Sequence, residues 1–438
     1  MASPSTVSPA DLLSQLVRFD TTNPPGNEGP CLEHLRRLFE ERGISGRILA
    51  GDPSRPNLVV RVPGRGEAPP LLMQGHVDVV TTEGQNWSRA PFGGDQVDGW
   101  VWGRGALDMK GGVAMMVCAL LDAIDRVQAP AGDVVLACVA DEEAGGVHGA
   151  KFLVDQHPEL FEGIRHGIGE GGGSRQEIAG SAFYTIMAAE KRACRLRMTL
   201  HGPGGHASRT HRGGTMARLG RLLTALDGCR LPIHLHPVTE AFIRGIADRV
   251  GGDVAATLRS LLEPRRAYAA LDALGAEGGI FDSVLHNTVN ATIVQAGSKI
   301  NVIPSKAVID VDGRVLPGVR AEEFVAEVRE VVGPAPEIEV TSEGPFTPSA
   351  ELGQFYQLLG AVVHELDPKA VAVPVMLSGA TDQRHFGRLG IVGYGFLPVR
   401  LPAGVGRETV HAADERVTVE SLDFGTRALS EVLHRYRG

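Results

Sequence analysis

The segment from Trp100 to Gly112, WVWGRGALDMKGG, places a single acid, Asp108, among glycines and directly ahead of an apolar run. Glycine has no Cβ atom, so the backbone here can turn tightly and approach other groups closely. From Met109 onward, apolar residues recur at helical spacing, which predicts a helix. Asp108 is therefore expected at a loop-to-helix junction, within reach of side chains at neighbouring strand ends. The alternative is a surface turn with an acid in the first helical turn, and this segment alone does not decide between the two.

The length and composition of the chain limit its class. Its 438 residues exceed what one hydrophobic core usually supports, so two domains are expected. A formal net charge of -9 argues against nucleic acid as a partner. Five scattered cysteines lie mostly in apolar runs, as reduced core residues do. We find neither a signal peptide nor about 20 unbroken apolar residues, and we expect a cytoplasmic protein that does not bind membranes.

Buried strands alternate with amphipathic helices in the first part of the chain. Leu71–Val80 and Asp133–Ala140 are mostly apolar, which is typical of strands covered on both faces in a largely parallel sheet. Helices are predicted to begin near Ser8, to run from about Pro30 to Arg42, and to run from Met109 to about Arg126. This alternation predicts a doubly wound α/β layer.

The pattern changes near residue 191. Strand, helix, two strands, helix and strand then follow in the ferredoxin-like order, and residues of about 235–285, rich in Ala and Leu, are expected to add helices. We therefore predict an α/β catalytic domain, with a mixed, mostly parallel sheet between helices, made of residues 1–190 and 343–438. A ferredoxin-like α+β lid domain of residues 191–342 is predicted to be inserted into it.

Acidic and histidine side chains recur where the predicted strands end. They are His76 and Asp78 after one buried strand, Asp108 on its glycine turn, Glu142 and Glu143 after the next strand, Glu170 in GIGEGGG, and His411 in VHAADER. Open α/β sheets bind ligands at the carboxyl ends of their strands. Each residue alone has an ordinary structural explanation, but their joint occurrence is hard to explain as coincidence. Two histidines and three of these five carboxylates would suit two divalent metal ions, zinc best of all.

Two short pairs within this set indicate a division of work. His76 and Asp78 are two residues apart, so on an extended chain their side chains share one face. One of them can bind a metal while the other steadies the imidazole. Glu142 and Glu143 are adjacent, and adjacent strand residues point opposite ways, so the two glutamates can act differently.

Eight motifs occur in a fixed order along the chain: GHVDVV, GRGALDMKGG, ADEEAGG, GEGGG, GGHAS, NVIP, ATDQRHF and HAADER. Together they resemble the zinc-dependent M20 metallopeptidases. That family includes aminoacylase-1, acetylornithine and succinyl-diaminopimelate deacylases, carnosinase-like dipeptidases and carboxypeptidase G. The resemblance covers nearly the whole chain.

The resemblance implies a role for each acid and histidine of the predicted site. Two zinc ions, which Co²⁺ or Mn²⁺ could replace, would share one bridging acid and each take one histidine and one glutamate: Asp108 as the bridge, His76 with Glu170, and Glu143 with His411. Glu142 would be the general base, and Asp78 would support His76 from behind. The resemblance also implies a cis peptide bond between Asp108 and Met109.

The resemblance further implies residues that contact the substrate. His206, in GPGGHAS, is similar to a histidine that stabilises the oxyanion from across a dimer. Asn301, Arg314 and Arg384 are similar to positions that line the closed site. A guanidinium can hold a carboxylate with two parallel hydrogen bonds, so Arg384, or next Arg314, is expected to bind the substrate carboxylate. Four other histidines beside the motifs are interpreted as structural: His148, His201, His211 and His385.

The expected function is hydrolysis of one amide bond in a small carboxylate-bearing molecule by a cytoplasmic di-zinc enzyme. The enzyme is expected to be a homodimer through the lid. The sequence does not separate a deacylase of N-acyl amino acids from a dipeptidase or carboxypeptidase acting on free-amine peptides. A non-catalytic family member used as a binding module should lack metal ligands or the equivalent of Glu142. Because all of them are present, the enzyme is favoured.

Overall fold

The computed structural model describes residues 7–126, 129–402, 405–406 and 408–438. Its strands are β1 (Gly46–Leu49), β2 (Asn57–Val62), β3 (Leu71–His76), β4 (Asp95–Val97), β5 (Trp100–Trp102), β6 (Val134–Val139), β7 (His166–Gly169), β8 (Arg175–Ile178), β9 (Ser181–Glu190), β10 (Arg192–His201), β11 (Gly205–His206), β12 (Thr288–Ala296), β13 (Val302–Ile303), β14 (Lys306–Val315), β15 (Glu337–Glu343), β16 (Ala370–Leu377), β17 (Val392–Gly395) and β18 (Arg416–Thr418).

The helices are α1 (Pro9–Val17), α2 (Gly29–Glu40), α3 (Lys110–Asp125), α4 (Ala150–Gln156), α5 (Thr215–Asp227), α6 (Pro237–Val250), α7 (Gly252–Ser260), α8 (Pro264–Leu274), α9 (Gly279–Leu285), α10 (Ala321–Val332), α11 (Gln354–Leu366), α12 (Gln383–Phe386) and α13 (Val419–Arg435). Short 3₁₀ turns lie at Glu142–Ala144, Pro158–Phe161, Gly275–Gly278 and Gly387–Leu389. Among the described residues, no helix is long and apolar enough to cross a bilayer. The predicted absence of a signal peptide concerns in part residues 1–6, which lie outside the described ranges.

The chain packs as two units. The first consists of Met1–Ala188, Pro348–Val375 and Thr381–Gly438, and the second of Ala189–Thr347 with Met376–Ala380. The assignment of these units as a catalytic domain and an inserted lid stays a prediction.

The large sheet has the strand order β1-β2-β6-β3-β7-β17-β9-β16, with β8 beside β9. The pairs β6–β3, β3–β7 and β7–β17 are parallel, whereas β1–β2, β2–β6 and β17–β9 are antiparallel. Every residue of β3 and β6 is buried, as the apolar runs in the sequence predict. This mixed sheet with a parallel centre confirms the predicted α/β class.

Helix α3 follows the glycine-rich segment and packs against α1, α13 and β3. It is apolar on nearly all sides and buried, which is the usual position of such a helix. The two elements pack closely at Gly75, where an added Cβ atom would lie 2.5 Å from Cε of Met109 and 3.1 Å from Cγ2 of Val113. The start of α3 is therefore held directly against the strand that ends at His76.

The second unit shows the predicted order of strand, helix, two strands, helix and strand in β10, α5, β12, β14, α10 and β15. Its sheet runs β12-β14-β10-β15 with antiparallel neighbours. The apolar face of this sheet packs with α5 and α10 around Leu196, Leu222, Ile309 and Phe324. The extra helices expected at about 235–285 are α6 to α9.

Candidate metal centre

Three parallel strands bring their carboxyl ends to one edge of the large sheet. His76 is the last residue of β3, Glu142 and Glu143 lie in the 3₁₀ turn shortly after β6, and Glu170 directly follows β7. Because β6, β3 and β7 are neighbours in the sheet, these side chains meet. Asp108 joins them from the loop before α3.

Two details differ from the prediction. The strand predicted over Leu71–Val80 ends at His76. The backbone that follows forms hydrogen bonds with Thr21 instead: the Thr21 hydroxyl donates to the carbonyl of Val77 (2.6 Å), and the Thr21 carbonyl accepts from the N–H of Val79 (3.1 Å). Glu142 and Glu143 also lie on a 3₁₀ turn, so their separation comes from that turn and not from strand alternation.

Asp108 lies at the centre of the site, with one carboxylate oxygen toward each histidine. Its Oδ1 is 3.1 Å from Nε2 of His76, and its Oδ2 is 3.1 Å from Nε2 of His411. Glu170 Oε2 lies 3.6 Å from the same atom of His76, and Glu143 Oε1 lies 3.0 Å from that of His411. The donor atoms thus form two groups, each within 4.8 Å, that share Asp108. The peptide bond between Asp108 and Met109 is cis, as the resemblance predicts.

The electrostatics of the site fit a pair of cations. Burial raises the pKa of the Glu170 carboxyl. Hydrogen bonds to Asp108 and then Glu143 raise the pKa of His411 to about 10. The carboxylates of Asp108, Glu143 and Glu170 thus lie close together around two imidazoles. A set of imidazole nitrogens and carboxylate oxygens of this kind fits divalent ions such as zinc.

Asp78 connects His76 to the turn that carries both glutamates. It is fully buried, and its carboxylate accepts hydrogen bonds from the backbone N–H groups of Glu142 (3.1 Å) and Glu143 (3.2 Å) and from Nδ2 of Asn23 (2.8 Å). Nδ1 of His76 lies 2.9 Å from the Asp78 carbonyl and 3.5 Å from its carboxylate. One acid therefore positions members of both groups of donors.

Glu142 belongs to neither group of donor atoms, which leaves its carboxylate available for proton transfer. Burial and, next, the charge of Glu170 raise its pKa well above the ordinary value. Nη1 of Arg384 lies 3.7 Å from Oε1 of Glu142, and Nε of Arg384 lies 3.3 Å from Nε2 of His385. The structure thus brings the predicted carboxylate-binding arginine to the predicted base. His385, interpreted as structural, is in contact with that arginine.

The other three predicted residues lie in the second unit. His206 on β11 pairs with Val302 on β13, and the carbonyl of Asn301 accepts from the N–H of Ala207 (3.1 Å), so His206 and Asn301 are neighbours. Arg314 lies elsewhere, on β14, with its Nε 3.1 Å from Oδ2 of Asp312. The functions assigned to these three residues stay predictions.

Asn23 and Asp382 were missed by the sequence analysis. Asn23 bonds Asp78 and also Asp141, which sits in the left-handed region at φ 71° directly before Glu142. Asp382 is 1% exposed, and Oδ1 lies 4.0 Å from Nη2 of Arg384. Asp382 belongs to the ATDQRHF motif, which was the available signal. Nothing in the local sequence marks Asn23, because its partners lie 55 and 118 residues away.

Comparisons with known proteins match the part of the chain that carries the site. A model of peptidase family M20/M25/M40 matches residues 72–435. The chain is 28% identical, over an alignment of 442 residues and 98% of both chains, to succinyl-diaminopimelate desuccinylase of Methylorubrum populi. It is 25% identical to the N-fatty-acyl-amino acid synthase/hydrolase PM20D1 of Homo sapiens, over 83% of this chain and 73% of that one. Its fold is similar to an M20 family metallo-carboxypeptidase from Sulfolobus solfataricus, with TM-score 0.70, 16% identity, and 98% and 99% of the chains covered.

Proposed function

The chain belongs to peptidase family M20/M25/M40, and from this premise we propose that it is a two-metal hydrolase of one amide bond in a small carboxylate-bearing substrate. The observation that carries the proposal is the position of Asp108, whose two oxygens each lie 3.1 Å from a different histidine. That arrangement suits an acid shared by two metal ions. It gives a binding module no evident advantage, which disfavours the non-catalytic alternative.

The donor groups assign the metals. His76 and Glu170 would hold one zinc ion, Glu143 and His411 the other, and Asp108 would bridge them; Co²⁺ or Mn²⁺ would find the same ligands. When bound, such a pair polarises a substrate carbonyl and brings the pKa of an attacking water from about 15.7 toward 7.

Glu142 would act as the general base. Its carboxylate accepts the proton of the attacking water and later delivers it to the departing nitrogen, so the residue returns to its starting state. Burial raises the pKa of Glu142, which is the direction in which enzymes shift a glutamate that must both accept and deliver a proton. Such proton transfer contributes on the order of 10²–10⁴ in rate.

Two further tasks fall to cations and polar donors. Arg384 would hold the substrate carboxylate with its planar guanidinium, supported by its position 3.7 Å from Glu142; Arg314 is the second candidate. His206 would donate to the oxyanion, a contribution of about 2.7–4 kcal/mol for one donor, and Asn301 would line the same site.

An N-acyl amino acid is the favoured substrate class. The names of the two relatives in sequence describe removal of a succinyl group from diaminopimelate and hydrolysis of N-fatty-acyl amino acids. In both, the amide joins an acyl group to an amino acid with a free carboxylate, which is the group an arginine near the base would hold. A carboxypeptidase, as in the solved relative, cleaves the same kind of bond at a peptide end and is the second candidate.

The surroundings of the enzyme are also part of the proposal. We place it in the cytoplasm, in agreement with five free cysteines of which four are buried, and we expect neither nucleic acid nor membrane as a partner. A homodimer through the second unit is supported by β12, an edge strand that exposes Ile293 and Val294.

The test uses zinc-reconstituted protein, an EDTA-treated control and two substrate sets, N-acyl amino acids and free-amine dipeptides. We expect zinc-dependent hydrolysis of the first set. Hydrolysis of the dipeptides alone would replace the deacylase with a dipeptidase. Turnover that survives treatment with EDTA would contradict the two-metal hydrolase itself. Turnover of neither substrate set by the zinc-reconstituted protein would contradict it as well.

A further inference from the structure

Glu415, the acid of the HAADER motif, is fully buried and holds the loop before α3. Its Oε1 accepts hydrogen bonds from the backbone N–H groups of Leu107 (2.8 Å) and Asp108 (3.0 Å). Its Oε2 accepts from the N–H of Gly105 (3.0 Å) and from Nη1 of Arg104 (2.6 Å). One carboxylate therefore holds three backbone N–H groups between Gly105 and Asp108, the residue assigned as the metal bridge.

The free energy of such an arrangement is sensitive to any missing partner. A buried charge is tolerated only when it is paired and hydrogen-bonded, and here the four hydrogen bonds of the Glu415 carboxylate are all made with residues 104–108. The N–H of Asp108 itself donates to Glu415. The loop therefore cannot move at Asp108 without losing this hydrogen bond. The direction of the Asp108 side chain thus depends on Glu415.

Arg104 extends the arrangement to a second predicted ligand. It is 1% exposed, and its Nη2 donates to Oε1 of Gln85 (2.8 Å). Nε2 of Gln85 in turn donates to the backbone carbonyl of His411 (2.8 Å). His411 has φ 61°. This left-handed conformation costs free energy for any residue other than glycine, and it persists only where the surrounding structure holds it. The guanidinium also lies 5.2 Å from the ring of Trp87, which limits its movement.

We propose that Glu415, Arg104 and Gln85 form a clamp that positions Asp108 and His411 and thereby sets the affinity of the metal centre. None of the three is a catalytic residue, since each acts through another. The effect on affinity rests on the proposed function, whereas the effect on the loop does not. Because Asp108 is shared, loss of Glu415 weakens both metal sites, and loss of Gln85 weakens only the site that includes His411.

The experiment compares Glu415→Gln and Gln85→Leu with the wild-type protein. A glutamine at 415 keeps the size of the side chain but presents an amide N–H₂ to donors, so it breaks part of the clamp. Asp367→Asn is the matched control: Asp367 is a largely buried acid bonded to Tyr184 (3.2 Å) and paired with Arg175 (3.3 Å) and Arg400 (3.5 Å). It accounts for the general cost of neutralising an inward-facing carboxylate.

Two measurements are made on each protein: hydrogen exchange of peptides covering residues 104–109 in the metal-free state, and zinc binding by competition with a chromophoric chelator. For Glu415→Gln we expect faster exchange of these amides and about 10–100-fold weaker binding of both zinc ions, the usual loss when a group behind a ligand is removed. For Gln85→Leu we expect a loss of similar size at one site only. Asp367→Asn should match the wild type in both.

Unchanged exchange and zinc affinity within twofold of wild type in Glu415→Gln would overturn the clamp. An equal loss of affinity in Asp367→Asn would also overturn it, by showing a general effect of stability. If Glu415→Gln does not fold, the one-site loss in Gln85→Leu, whose side chain is partly exposed, decides the question. If the wild type binds no pair of zinc ions, the proposed function fails, and hydrogen exchange in the metal-free proteins still decides whether Glu415 holds the loop.

Discussion

Glu142 is the side chain whose loss should separate metal binding from turnover. Glu142→Gln keeps the shape of the residue but removes its ability to accept a proton. We expect kcat to fall by about 10²–10⁴ while two zinc ions remain bound, because Glu142 lies outside both donor groups. Steady-state kinetics and metal analysis by mass spectrometry measure the two effects.

The neighbouring glutamate provides the contrast. Glu143→Gln differs by one position in the same turn, and its Oε1 lies 3.0 Å from His411, so it should lose zinc as well as activity. Wild-type kcat in Glu142→Gln would show that this residue is not the base, and retention of both zinc ions in Glu143→Gln would remove it from the ligand set.

Arg384 is expected to recognise the substrate carboxylate. Arg384→Lys keeps the positive charge but loses the planar pair of donors. A hydrogen bond to a charged group contributes about 1.5–3 kcal/mol, so we expect KM to rise about 10–100-fold for an N-acyl amino acid. The measurement compares that substrate with the matched N-acyl amine, which lacks the carboxylate and should be hydrolysed equally by both proteins.

A surface arginine controls for the substitution. Arg388→Lys changes a residue four positions away that is 41% exposed and paired with Asp155, and its kinetics should stay as in the wild type. If Arg384→Lys still prefers the carboxylate-bearing substrate as the wild type does, the assignment passes to Arg314.

At the scale of elements, the sequence predicts the buried strands and the edge of the sheet at which they end. The apolar runs before His76 and Asp141 are strands β3 and β6, and the parallel pairing that they imply brings Glu142 and His76 to one edge. The family model and the relatives confirm the resemblance. The exact end of β3 was wrong by several residues because Thr21, 56 residues earlier, bonds the backbone beyond it.

The supports of the site could not be predicted in the same way. Arginine and glutamate are residue types usually found at the surface. Arg104 and Glu415 are buried because they pair with each other, 311 positions apart in the chain. Periodicity and local motifs report on neighbours in sequence. They identify which acids lie at strand ends, and they do not identify which distant side chains hold those acids in place.

A buried lysine between β9 and β10 gives the second unit a stability that depends on pH. Lys191 is fully buried with Nζ donating to the carbonyl of His286 (2.7 Å). Burial lowers its pKa from 10.5 to about 7, with Asp282 raising it and Arg314 lowering it further. Below pH 7 the native state carries a buried charge, which opposes folding. As pH rises from 7 toward 10.5, the native lysine is neutral while the unfolded one is protonated, and this cost disappears.

Lys191→Met should reveal that dependence. The variant has no titrating group at position 191. Its loss of the hydrogen bond to His286 should lower the free energy of unfolding by the same amount at every pH. We expect the free energy of unfolding of the wild type, relative to the variant, to increase between pH 6 and pH 9, since one unit of pKa shift corresponds to about 1.4 kcal/mol. Urea unfolding of the metal-free proteins at both values gives the difference, and the same difference at both values would contradict a depressed pKa for Lys191.

At the scale of the whole molecule, the predicted machinery is divided between the two units. The five predicted ligands, Glu142 and Arg384 belong to the first unit, whereas His206, Asn301 and Arg314 belong to the second. Under the proposed mechanism, metal binding needs the first unit alone, and turnover needs both. His206→Ala should therefore keep both zinc ions and lose kcat.

The source of His206 can be decided with two inactive variants. If His206 acts in the site of the neighbouring subunit, a heterodimer of Glu142→Gln and His206→Ala contains one complete site, formed by Glu142 of the second chain and His206 of the first. Co-expression with two different tags and sequential purification isolates this heterodimer. We expect about half of the wild-type activity, because one of two equivalent sites is restored. A purified heterodimer as inactive as its parents would show that His206 does not act across the dimer, and it would confine any catalytic contribution of the histidine to its own chain.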